Sequence, residues 1–142
     1  MKNDIIQRFA DRVGYTPAEG ERFQEGGHRV RHVKRLARAA AQYSIQAEVV
    51  ASRHCNSGHV VGQRLVLDVD GNLITQLCPK RVCVYLVSQL TVPVALINER
   101  LSEGLEPNDF HFMRQVRCLD CGVERYGFGE VTLKMGALPR GK

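Results

Sequence analysis

Ser44-Ile45-Gln46-Ala47-Glu48-Val49-Val50-Ala51-Ser52-Arg53 is where the texture of this chain changes from helical to extended. Ile45, Ala47, Val49 and Ala51 alternate with Gln46, Glu48 and Ser52. Side chains of a strand point to opposite faces in turn, so this period of two predicts a strand with one buried face. Working downstream, Leu65-Val66-Leu67-Asp68-Val69 reads as a second strand. Asp70-Gly71 then reads as a two-residue hairpin turn, because both turn positions need positive φ, and Asn72-Leu73-Ile74 begins the return. Further strands are predicted at 112–117 and 130–135. The apolar stretch 80–101 reads as a helix that Pro93 kinks or splits, since proline has no amide to donate. The expected fold is α+β: a small, largely antiparallel sheet from 45–53, 64–69, 72–77, 112–117 and 130–135, with helix 80–101 packed on it.

Upstream of residue 44 the pattern is helical. Ile5, Ile6, Phe9 and Val13 recur at helical spacing, Asn3 or Asp4 is placed to cap the start, and Gly14 ends the run. Residues 14–27, with Pro17 and four glycines, read as a loop or tether. A second helix is predicted over 28–42, with Val30, Val33, Leu36, Ala37 and Ala40 on one arc and Arg31, Lys34, Arg35 and Arg38 opposite. Residues 1–43 are thus expected to form an N-terminal helical arm, and residues 44–142 the α+β domain.

The formal charge of +5 belongs to this second helix. Segment 28–42 holds five Lys/Arg and no acid, and elsewhere basic and acidic residues balance at 15 each. The lack of acids removes the i,i+4 partners of an ordinary solvated face. Arg31, Lys34, Arg35 and Arg38 are therefore the expected contacts for an anionic partner. A larger acidic protein is favoured over nucleic acid, because readers of nucleic acid add aromatic platforms or a recognised motif and only Tyr43 adjoins the helix. Composition is that of a soluble globular chain, 44% hydrophobic and 25% charged. Apolar stretches fall well short of the roughly 20 residues that span a bilayer. With no apolar signal core in its first residues, the chain is expected to be cytoplasmic and to have no membrane partner.

Five cysteines in such a compartment point to metal ligands or free thiols before disulfides. Cys118-Leu119-Asp120-Cys121-Gly122 has the spacing of a metal knuckle, and Gly122 permits the φ that turns backbone amides toward the sulfurs. A redox C-x-x-C sits instead at a helix N-terminus, and no helix is evident after Gly122. Cys55 and His59, with Gly58 between them, are the favoured second pair, and Cys78 with Cys83 is the rival. Cys83 also suits core packing, Cys78 a core or free thiol, and His59 a hydrogen-bonded loop histidine. Zinc is the expected ion, ahead of iron or an iron–sulfur cluster. No H-E-x-x-H, P-loop, G-x-G-x-x-G or G-x-S-x-G occurs, and a Cys55–His59 nucleophile–base pair lacks a third, orienting residue.

The run Cys55-Asn56-Ser57-Gly58-His59-Val60-Val61-Gly62 resembles the opening motif of a family of small uncharacterised prokaryotic proteins, C-x-x-G-H-x-x-G followed by a strand. Those proteins then carry a Cys opening a helix that contains Pro, matched by Cys83 and Pro93, and a Cys in a turn before the last strand, matched by Cys118 and Gly122. The resemblance covers about residues 45–135. Residues 1–44 have no counterpart in it, and Cys121 stands where a polar residue is usual. It implies no activity, only that Cys55, His59, Cys83 and Cys118 converge in space. The expected function is a metal-binding accessory protein, or small subunit, that docks through its basic helix. A nucleic-acid-binding zinc module and a small metalloenzyme with an open coordination position are the alternatives.

Overall fold

The structure, a computed structural model, describes residues 4–141. Three helices come first: α1 (Ile5–Val13), α2 (Pro17–Gln24) and α3 (Gly27–Gln42). Asp4 caps α1 by accepting from the amides of Ile6 and Gln7, at 3.0 and 3.2 Å, and Gly14 ends it. The alternative cap, Asn3, lies outside the described residues.

The tether expected at 14–27 is instead mostly helix. Thr16 accepts from the Glu19 amide while the Glu19 carboxylate accepts from the Thr16 amide, a complete capping box, and Pro17 takes the first helical position, where its missing N–H costs nothing. The glycines had hidden this signal. Phe9, Tyr15 and Phe23 pack their rings together, with centroids 5.4–5.9 Å apart, and Arg29 of α3 lies over Phe23.

The chain passes from α3 straight into β1 (Tyr43–Arg53), followed by β2 (Arg64–Leu67), β3 (Gln115–Arg117) and β4 (Glu130–Pro139). The sheet is antiparallel, in the order β2-β1-β4-β3. Register places Ile45 opposite Leu67 and Ala137, Ala47 opposite Leu65 and Met135, and Val49 opposite Leu133. These side chains line one buried face, as the period of two requires. Register shifts between Val49 and Ala51, a β-bulge, so Ala51 leaves the buried face and is exposed.

Three expected strands are shorter or absent. The return at 72–77 is a single bridge, Leu67 to Leu73, then a 3₁₀ turn at Thr75–Leu77. The ladder stops because Cys78 caps the edge: its sulfur accepts from the Val66 amide at 3.3 Å and faces the Val66 carbonyl at 3.5 Å. Strand 64–69 ends at Leu67, and 112–117 begins only at Gln115, because Met113 has φ of 56°. The hairpin turn differs too. Residues 69–71 form it, only Gly71 has positive φ (95°), and the Asp68 carboxylate organises it by accepting from the amides of Asp70 and Asn72.

The 80–101 helix begins late and is split. α4 (Val84–Val87) leads through a 3₁₀ turn (Ser88–Leu90) into α5 (Thr91–Ser102). Pro93 falls in the first turn of α5, where an amide is not needed, so the break lies just before it. Leu86, Leu90, Ile97 and Leu101 cover the sheet face together with Leu36 and Ala39 of α3, and make one core. Helices on one side of an antiparallel sheet are the expected α+β arrangement. α3 is therefore a layer of that core as well as an arm, and Ala37 is exposed where Ala39 is buried. Among the described residues, no helix is long and apolar enough to cross a membrane.

Candidate functional site

At the C-terminal end of β1, four segments enclose a cleft of about 930 Å³: residues 54–57, Cys83 with Tyr85, residues 118–120 and residues 128–130. The turn after β1 closes tightly on the start of β4. A Cβ at Gly129 would collide with the carbonyl groups of His54 and Arg53, so only glycine lets the two segments approach. His54 itself has φ of 56°. Cys55, Cys83 and Cys118, each partly buried and each a free thiol, line this one cleft from three separate parts of the chain.

Cys83 stands immediately before α4, in extended conformation. Its sulfur makes no close capping bond, yet its thiol is more acidic than usual. Burial alone would raise the pKa. The Leu86 amide, the Ser57 hydroxyl and the Tyr85 amide act against burial by favouring the thiolate, and together they prevail.

His59 is only 2% exposed and does not line the cleft. The backbone amide of Cys83 donates to its Nε2 at 3.2 Å, so Nδ1 carries the proton and donates to Gln63 Oε1 at 3.1 Å. The Ser52 hydroxyl donates to the His59 carbonyl at 2.6 Å. Both ring nitrogens are thus engaged, and the histidine is a strut that seats Cys83 against the β1–β2 loop.

The two cysteines of the expected knuckle part company. Cys118 faces the cleft, with its amide bonded to the Val131 carbonyl at 3.0 Å. Cys121 is exposed, and its thiol donates to the Arg125 carbonyl at 3.1 Å, closing the 3₁₀ turn Val123–Arg125. Gly122 has the positive φ expected of it, 85°. The Asp120 carboxylate gathers the amides of this segment. It accepts from Gly129 at 2.8 Å, from Phe128 at 2.9 and 3.1 Å, and from Gly122 at 3.3 Å. These amides, led by Gly129 and Phe128, hold its pKa below the usual carboxylate value. Among the described residues, no group of three or more His, Cys, Asp or Glu side chains is arranged to hold a metal ion.

Two of the four basic positions on α3 are engaged within the chain. Arg31 pairs with Glu103 at 2.9 Å, and Arg35 donates to the Ser102 carbonyl at 2.7 Å. His32 Nδ1 meets the Ser102 hydroxyl at 2.8 Å. Together they cap the end of α5, whose last carbonyls lack helical partners. Lys34 and Arg38 are exposed, and Arg38 joins Arg35, Gln42 and Tyr43 along a groove of about 470 Å³.

Ser57, Tyr85 and Asp120 were not anticipated as site residues. Asp120 carried a readable sign, an aspartate two residues before a glycine in a turn. Ser57 carried none, because only tertiary contact brings it to Cys83; Tyr85 is near Cys83 in the chain, but nothing in its position marked it. No protein-family model matches the chain, and neither a curated protein nor a solved structure matches it.

Proposed function

We propose that this protein works through its thiols, as a small thiol–disulfide exchange module whose nucleophile is Cys83. The observation that supports this reading is the meeting of three free cysteines from distant segments on one cleft, with the acidified thiol of Cys83 among them. A thiolate is the reactive form of cysteine, and amide and hydroxyl donors around Cys83 favour it. Attack of the Cys83 thiolate on a substrate R–S–S–R′ forms a Cys83–S–S–R mixed disulfide. The R′–S⁻ group leaves and takes a proton from solvent. Cys55 and Cys118, on the same cleft, are the thiols available to attack the Cys83 sulfur next. That step releases R–S⁻ and leaves an internal disulfide, the substrate disulfide reduced and the cysteine pair oxidised.

The test is site-resolved alkylation followed by mass spectrometry across a pH series. Cys83 should retain its reactivity to lower pH than exposed Cys121 does. Cys83→Ser, which keeps a residue suited to precede a helix, should remove the low-pH reactive site and leave the fold intact. Equal pH profiles at Cys83 and Cys121 would overturn the reading. Stoichiometric zinc in the purified protein, lost in Cys55→Ser, would restore the expected metal-binding accessory role in its place.

A further inference from the structure

We propose that the disulfide this cleft accepts belongs to a polypeptide segment with apolar flanks and no net negative charge. This rests on the thiol-exchange reading above and adds the substrate class.

Two observations carry it. The first is the rim. Tyr85, Leu119 and Phe128 line the cleft yet remain 63%, 62% and 80% exposed. Val84 and Val123, neighbours of these segments, are exposed as well. An apolar collar around a polar, reactive floor is unusual on a surface that meets only water, and marks a place where apolar groups of a ligand are buried. The second is charge. Among the described residues, the carboxylates lining the cleft are Asp120 and Glu130, and His54 is the only basic side chain there. Arg117 reaches Glu130 at 3.6 Å but does not line the cleft. An anionic disulfide such as oxidised glutathione would approach two carboxylates with no fixed cation to receive it.

The cleft's volume also exceeds what one disulfide fills and is of the size that accommodates several side chains. A flexible apolar segment would place its cystine over Cys83 while its flanking side chains cover Leu119 and Phe128. The basic helix α3 joins β1 at its start and none of its residues lines this cleft, so it supplies no cation to the cleft wall.

The experiment measures single-turnover reduction of three probes by the reduced full chain. They are a peptide pair joined by one disulfide with Phe and Leu flanks, the same pair with Ser and Gly flanks, and oxidised glutathione. The apolar pair should react faster than the polar pair by on the order of tenfold, with glutathione slowest. Leu119→Ser with Phe128→Ser, both on exposed positions, should erase the difference between the peptide pairs. The small cationic disulfide cystamine, too short to cover the collar, gives in each protein the reference rate to which the peptide-pair rates are normalised. Equal rates for the two peptide pairs in the wild type, or a preference that survives the double variant, would overturn the substrate assignment. Failure of every probe, cystamine included, would overturn the thiol-exchange reading beneath it.

Discussion

Asp120 is the residue around which the segment between β3 and β4 folds. Three amides that would otherwise face water converge on its carboxylate, and an ionised acceptor holds them more strongly than a neutral one. Its pKa is lowered in the fold, chiefly by the Gly129 and Phe128 amides. A lowered folded-state value means that the stabilisation is fully present above the unfolded carboxylate pKa. It is lost as pH falls through the folded value. The turn should therefore open in acid. Hydrogen exchange at the Phe128 and Gly129 amides, followed between about pH 2 and 5, should accelerate toward the acid end beyond the intrinsic trend. In Asp120→Asn the exchange should be faster throughout, and the acid-dependent component should vanish. Persistence of that component in the variant would place the titrating group elsewhere. The Cys-x-x-Cys spacing was plain in the sequence, but which atom the turn amides would choose was not. Cysteine and aspartate at neighbouring positions both suit such a turn, and only the closure of 127–129 onto Asp120 selects between them.

Among the elements, α2 and α3 show how local and distant signals differ. The Thr16-Pro17-Ala18-Glu19 start of α2 is a local signal, and its capping box is expected to stabilise the N-terminal helices. Thr16→Ala should cost about 1 kcal/mol, read from the urea midpoint, because the Glu19 amide loses its side-chain acceptor while the Glu19 carboxylate keeps the residue-16 amide. The basic stripe of α3 is a local pattern with a distant answer. Arg31 and Arg35 have no acidic partner within the helix, yet they meet Glu103 and the Ser102 carbonyl across the fold. The stripe therefore has two parts, one engaged by α5 and one, Lys34 with Arg38, free to meet a partner. Lys34→Gln with Arg38→Gln should leave the melting temperature unchanged, because surface charges of this kind contribute little to stability. Any anionic partner of the helix should be recovered less well by that variant in a low-salt pull-down. Equal recovery of protein and nucleic acid from wild type and variant would leave the stripe as a solvated face.

On the scale of the whole molecule, β1 separates two surfaces. It runs about 33 Å, with the Arg38 groove near Tyr43 at its start and the thiol cleft beyond Arg53 at its end. Between them the helices and sheet share one core, and α3 contributes Leu36 to it. Leu36→Ala should thus lower global stability by about 2–5 kcal/mol in denaturant unfolding, with one cooperative transition. A loss confined to melting of the N-terminal helices would show instead that residues 1–43 fold as a separate arm. Fold class, most of β1 and the helix over 28–42 were legible in the order of residues, because hydrophobic period and caps act between near neighbours, while Ala37 and Ala51, expected on the apolar faces, are exposed. The folded chain was needed to see that His59 holds the Cys83 amide and that Cys121 turns to the Arg125 carbonyl while Cys118 lines the cleft; that Cys55, Cys83 and Cys118 meet was expected from the resemblance, not from any spacing. The cleft depends on the close approach of Gly129 to His54, and the His59 bond on the β1–β2 loop meeting the start of α4. Such contacts join residues dozens of positions apart, and no periodicity along the chain encodes them.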